Sequence, residues 1–167
     1  MKYALQPLEP SVLAHLAPRA AERGAFERLV AEHAATLDPR VSLDKALPAL
    51  CHLLRELRPE LGEAVDALDP SARSLDVRAL GPNARGLPAA MVRRLGRLLD
   101  NVSTESFEEA YDAGSLAEAK VPPDCWDDDD AREWLLDHLA TLRQVIEAAV
   151  LAGQALVVVS EPPRPEA

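Results

Sequence analysis

Apolar residues return every three or four positions through residues 131–152, at Leu135, Leu139, Leu142, Ile146 and Ala149. That is the period of an amphipathic helix. Gly153 suits the left-handed position at which helices end. Ala155 to Val159 then run without a polar interruption, as a strand covered on both faces would. This helix and the strand after it form the centre of the predicted fold.

The same periodicity marks other helices. Ala20–Leu37 places Phe26, Leu29, Val30 and Leu37 on one side, after a brief helix over Val12–Leu16 that Pro18 ends. Ser42–Leu57 carries a stripe of Leu43, Leu47, Leu50, Leu54 and Leu57. Pro48 lies inside that stretch, so the cheapest arrangement starts the regular helix near Leu47, with the proline in its first turn. A short helical stretch follows at Glu60–Leu68. Pro88 opens a helix to Asn101, and Thr104 caps another over Glu105–Ala113. Residues 114–130 read as mostly irregular. Strand patterns are fewer: Lys2–Leu8, Ser74–Leu80 closed by Gly81-Pro82-Asn83, and Ala155–Ser160. The order predicts an α+β fold, with a small mixed sheet of about three strands covered by several helices, the long C-terminal one leading into the last strand. Residues 1–161 form one domain, and residues 162–167 a short proline-rich tail.

Composition narrows the function classes. With 48% apolar residues, the 167-residue chain can bury a full core. No apolar run approaches the length of a membrane span. The opening MKYALQPLEP lacks the apolar core of a signal peptide, so a cytoplasmic protein is expected, with Cys51 and Cys125 as thiols. An excess of Arg over Lys hints at a GC-rich bacterial genome. Residues 1–99 carry 14 basic and 12 acidic side chains, whereas residues 100–167 carry 4 basic and 16 acidic. An acidic half of this size disfavours nucleic acid and anionic membranes and favours a basic partner. Six aromatic residues provide no stacking platform for single strands.

Candidate chemistry is sparse. Cys51-His52 pairs a thiol with an imidazole, yet neighbours on a helix point about 100° apart and cannot form a dyad together. The four histidines, His15, His33, His52 and His138, lack the spacing that would put two ligands on one metal. No phosphate-binding glycine loop or nucleophile elbow occurs, so no cofactor is implied. Asp124 and Asp127 to Asp130 lack the pattern of a calcium loop, and their position before a helix suits capping and the helix dipole. Arg93 and Arg97 lie four apart on one helix and, joined to Arg78 or Arg85, could hold a phosphate or carboxylate.

Two stretches resemble the YfbM-like family, a bacterial domain of unknown function. In SLDKALPALCHLL, residues 42–54, Leu43, Asp44, Lys45, Leu50 and Leu54 match the family pattern. Leu47 stands where a tryptophan is expected, Cys51 where a histidine is, and His52 where an aromatic is. From Ser106 to Val159 the match is carried by Tyr111, Asp112, Val121, Pro123, Trp126, Leu142, Ala149, Gly153 and Val157, with Pro122 at a tyrosine position. The resemblance implies a compact α+β domain and no established activity. A site built on the family's histidine and tryptophan would have lost its polar group here.

The function expected is therefore a non-catalytic acidic interaction protein of the immunity or inhibitor kind. It would bind a basic protein through Asp124, Asp127, Asp128, Asp129, Asp130, Glu108 and Glu109. The alternative is a small-anion-binding protein or enzyme with a pocket near Cys51, His52, Arg93 and Arg97. Tyr111 and Trp126 are expected to be structural, with Trp126 pinning the segment after Pro122-Pro123 onto the core near Phe107 or Trp134.

Overall fold

The computed structural model describes residues 1–19, 22, 24–74 and 77–161. In chain order the strands are β1 (Lys2–Leu8), β2 (Val41–Asp44), β3 (Arg78–Ala79), β4 (Ala84–Leu87) and β5 (Ala155–Glu161). The helices are α1 (Pro10–Leu16), α2 (Ala25–Glu32), α3 (Leu47–Leu57), α4 (Gly62–Leu68), α5 (Ala89–Asp100), α6 (Thr104–Ala110), α7 (Ala113–Glu118) and α8 (Ala131–Leu151). The strands form one sheet in the order β2-β1-β5-β4-β3. Each pair is antiparallel, so the sheet is larger than the expected three strands and not mixed.

Strand alternation assigns the two faces. Leu5, Leu87, Leu156 and Val158 point to the larger core, which α3, α4, α5 and α8 fill. Leu8, Ala155, Val157 and Val159 point the other way, where Leu13, Leu16, Phe26 and Leu29 of α1 and α2 cover them. β5 lies between β1 and β4 with residues 155–159 buried, which explains its unbroken apolar run. Gly153, at φ +67°, makes the turn from α8 into β5.

Several boundaries differ from the sequence pattern. Ser42 to Asp44, which the leucine stripe joins to the helical stretch, belong instead to the edge strand Val41–Asp44 on β1. The helix proper begins at Leu47 with Pro48 in its first turn, because a proline there loses no hydrogen bond. The expected helix over Ala20–Leu37 is only α2, entered through Gly24 at φ +73°; residues 20, 21 and 23 lie outside the described residues. Of the expected strand Ser74–Leu80, only Arg78–Ala79 pairs, with residues 75 and 76 outside the described residues. Its partner β4 follows the Gly81-Pro82-Asn83 turn and was not anticipated, because ARGL shows no alternation of apolar and polar residues. The expected tail, 162–167, also lies outside the described residues. Ser103, not Thr104, caps α6: its Oγ accepts from the Ser106 amide at 2.9 Å. Asp112 caps α7 in the stretch expected to be irregular, accepting from the Gly114 and Ser115 amides. No helix among the described residues is long and apolar enough to cross a membrane.

Gly86 shows how tightly α1 sits on the sheet. A Cβ built there would lie 2.3 Å from Leu13 Cδ1 and 3.3 Å from Leu80 Cδ1. Gly86→Ala should therefore force Leu13 to repack and destabilise the fold by about 1–3 kcal/mol. Urea unfolding would measure this as a lower midpoint at an unchanged slope.

Candidate functional site

The acidic residues are gathered by an anchored loop. Trp126, 3% exposed, sits between α7 and α8 and donates through Nε1 to the Val121 carbonyl at 2.7 Å. Its own carbonyl accepts from the Tyr111 hydroxyl at 2.8 Å. Its ring centroid lies 6.4 Å from that of Trp134 on α8. These contacts hold the segment that carries Asp124 and Asp127 to Asp130 beside the end of α6. There, exposed Glu108 lies 3.6 Å from Arg132 in the first turn of α8, with exposed Glu109 next to it in sequence. Burial raises the Tyr111 hydroxyl above its ordinary pKa, with Cys125 and Asp127 adding to it. Cys125 is likewise raised, by burial first and then by Asp128, against Lys45. Asp124, Asp127, Asp128 and Asp130 thus lie close to Tyr111 or Cys125, with Arg132 and Lys45 as basic groups nearby.

Asp124 and Asp127 to Asp130 are all exposed. Among the described residues, none of these five side chains is held by a hydrogen bond or an ion pair. The capping role suggested by sequence is not taken up. Asp130 occupies the N-cap of α8 but its carboxylate makes no cap hydrogen bond. The cluster still complements the helix dipole.

The four residues of the alternative site do not converge. Arg93 and Arg97 lie exposed on α5, along a groove of about 430 Å³ between α5 and α8 that neither Cys51 nor His52 lines. Cys51 is fully buried in the larger core. Burial, reinforced by Asp69, pushes its thiol well above the ordinary range, so it stays protonated and weakly nucleophilic. His52 is half-buried one position on, with Nε2 3.3 Å from Glu56 Oε1 in the next turn of the same helix. That geometry falls short of a hydrogen bond. Of the arginines suggested as their companions, Arg85 on β4 reaches the carbonyls of residues 66–72 and does not line the α5–α8 groove.

A polar network unseen in the sequence lies behind Cys51. Arg55 of α3 donates to Asp66 Oδ1 at 2.8 Å and to Asp69 Oδ2 at 2.6 Å. Ser71 closes an Asx-type turn on Asp69, its amide and hydroxyl reaching Oδ1 at 2.9 and 2.7 Å. Arg85 reaches from β4 to the carbonyls of Asp69 and Ala72 at 2.5 and 2.8 Å. Burial alone would raise the Asp69 carboxyl, but the hydrogen bonds from Ser71 and Arg55 outweigh it and hold the group below the usual carboxylate range. The Asp69-Pro70-Ser71 string was the available signal for the turn. Nothing in the sequence pairs it with Arg55 or Arg85, because the pairing depends on how α3, α4 and β4 pack. The network ties α3, the end of α4 and β4 together, so it braces the fold. Among the described residues, no group of three or more His, Cys, Asp or Glu side chains is placed to hold a metal ion.

A family model described as a domain of unknown function, DUF1877, matches residues 3–159. Among solved structures, the chain is similar to a protein of unknown function, YfbM from Escherichia coli. The TM-score is 0.62 at 13% identity, covering 96% of this chain and 100% of the other. At that identity the likeness establishes the fold alone. No curated protein matches the chain.

Proposed function

The chain belongs to the DUF1877 family, and from that premise we propose that it is a non-catalytic binding protein whose acidic face takes a basic protein partner, in the manner of an immunity protein or inhibitor. The observation that carries this reading is the state of Asp124 and Asp127 to Asp130. Five exposed carboxylates sit on a loop anchored by Trp126, and the described residues leave all five without an ion pair. Like charges crowded on one face repel, and a cationic partner relieves that repulsion. Rigid presentation lowers the ordering cost of binding. The groups an enzyme would need are dispersed: Cys51 is a buried thiol, and Arg97 faces another groove. Nucleic acid and anionic membranes are disfavoured by the same charge. We assign the bacterial cytoplasm as the setting, where Cys51 and Cys125 persist as thiols.

Affinity capture from native cells, run in parallel with the Asp127→Asn/Asp128→Asn/Asp129→Asn/Asp130→Asn variant, tests the proposal. The expected result is a basic protein held at low salt, released at high salt, and bound much more weakly by the variant. A partner held equally by wild type and variant, or recovery of nucleic acid, would overturn it.

A further inference from the structure

The groove between α5 and α8 combines an apolar floor with exposed arginines. Its floor is apolar, made by Leu99, Ile146, Val150 and the backbone at Gly96. The helices approach closely there: a Cβ on Gly96 would stand 3.1 Å from Val150 Cγ2. Leu151, 82% exposed, extends the apolar surface at one end. Along the α8 side the lining runs from Arg143 to Leu151, about 12 Å at the helical rise per residue. The volume, near 430 Å³, is that of a small-molecule cleft.

Two guanidiniums border this floor. Arg93 and Arg97 are one turn apart on α5 and so project side by side. Among the described residues, neither side chain has an ion pair or a hydrogen bond, although Asp100 and Glu147 also line the groove. Arg143 is committed elsewhere, donating to Thr104 Oγ1 at 2.9 Å and to the Val102 carbonyl. Three cationic groups against two anionic ones leave the groove locally positive in a chain of net charge -10.

We propose that the α5–α8 groove binds an amphipathic monocarboxylate, its aliphatic body on the Gly96–Ile146–Val150 floor and its carboxylate between Arg93 and Arg97. A carboxylate matches the planar fork of a guanidinium, and two such forks one turn apart can clamp it from both sides. An inorganic anion would leave the apolar floor wet, and an uncharged lipid would leave the arginines unanswered. This site is separate from the acidic face and stands or falls independently of it.

Calorimetric titration of the full chain with decanoate, below its micelle concentration, is the direct test, with acetate and decanol as controls. Decanoate should bind, with acetate and decanol each weaker by roughly tenfold or more. Arg93→Gln/Arg97→Gln should weaken decanoate by a similar factor while leaving the melting temperature unchanged, since both side chains are exposed. Leu151→Glu, at an exposed position, should weaken it too, by setting a negative charge beside the apolar tail. The assignment is overturned if decanoate fails to bind, if the arginine variant binds it as wild type does, or if acetate or decanol binds as tightly. It is also overturned if sedimentation shows a dimer that Leu151→Glu disperses, because the groove would then be an interface between copies.

Discussion

Trp126→Ala should lower the unfolding free energy by about 3–5 kcal/mol, the usual cost of deleting a buried aromatic side chain. For a chain of this length that corresponds to a fall in melting temperature on the order of 10 °C. The cost has separable parts. The ring fills the larger core beside Trp134. Its Nε1 donates to the Val121 carbonyl at 2.7 Å. Trp126→Phe retains much of the apolar area and loses the donor, so it should cost less, with about 1–3 kcal/mol attributable to the unsatisfied carbonyl. Thermal and urea unfolding of the three proteins measure both steps. A Trp126→Ala protein that melts with the wild type would sink the claim that this residue anchors the acidic segment. If the anchor is real, the alanine variant should also expose residues 121–130 to proteolysis before global unfolding.

How much of this was legible beforehand depends on whether the information was local. The α8–Gly153–β5 unit was readable because period, helix-ending glycine and apolar run all lie within thirty residues and agree. The start of α3 at Leu47 was readable for the same reason, since Pro48 permits one cheap arrangement. β2 is hidden in the sequence because Leu43 continues the leucine stripe of α3. In the fold it belongs to an edge strand, and the override comes from pairing with β1, forty residues away. β4 was missed because Arg85 and Gly86 carry no strand pattern. Gly86 is there for the close approach of Leu13, a tertiary reason.

The candidate sites divide in the same way. Exposed carboxylates on 124–130 could be foreseen from composition. The approach of Glu108 on α6 to Arg132 at the start of α8 needed the fold. Arg93 and Arg97 lie on one helix as their spacing predicts, but spacing does not show which residues stand beside them. The helix packed beside them is α8, bringing Arg143, Ile146 and Val150, while Cys51 faces the core on α3. Periodicity shows which face of a helix is buried and is silent about which helix buries it.

The largest pH-dependent effect should come from Asp69, whose pairing with Arg55 only the fold reveals. Its side chain is almost fully buried and accepts from Arg55 at 2.6 Å and twice from Ser71. Removing one partner of a buried pair costs about 3–5 kcal/mol when the other is left without water or a second partner. Arg55 keeps Asp66 at 2.8 Å and is one-third exposed, so Asp69→Ala should fall toward the lower end of that range. Asp69→Asn keeps the shape and the acceptor oxygen for Ser71, so its loss isolates the charge. The sign of the pH effect follows from the direction of the shift. The folded carboxyl is held below its unfolded value, so the charged form stabilises the fold at neutral pH. That stabilisation is present above the unfolded carboxyl pKa of about 4 and is lost as pH falls through the folded one. The gap in stability between wild type and Asp69→Asn should accordingly be widest near neutrality and shrink as the solution is acidified below about pH 4. Urea unfolding of both proteins across that range reads the gap directly. A gap that stays constant with pH would mean that Asp69 contributes through shape and hydrogen-bond geometry and that its charge adds nothing.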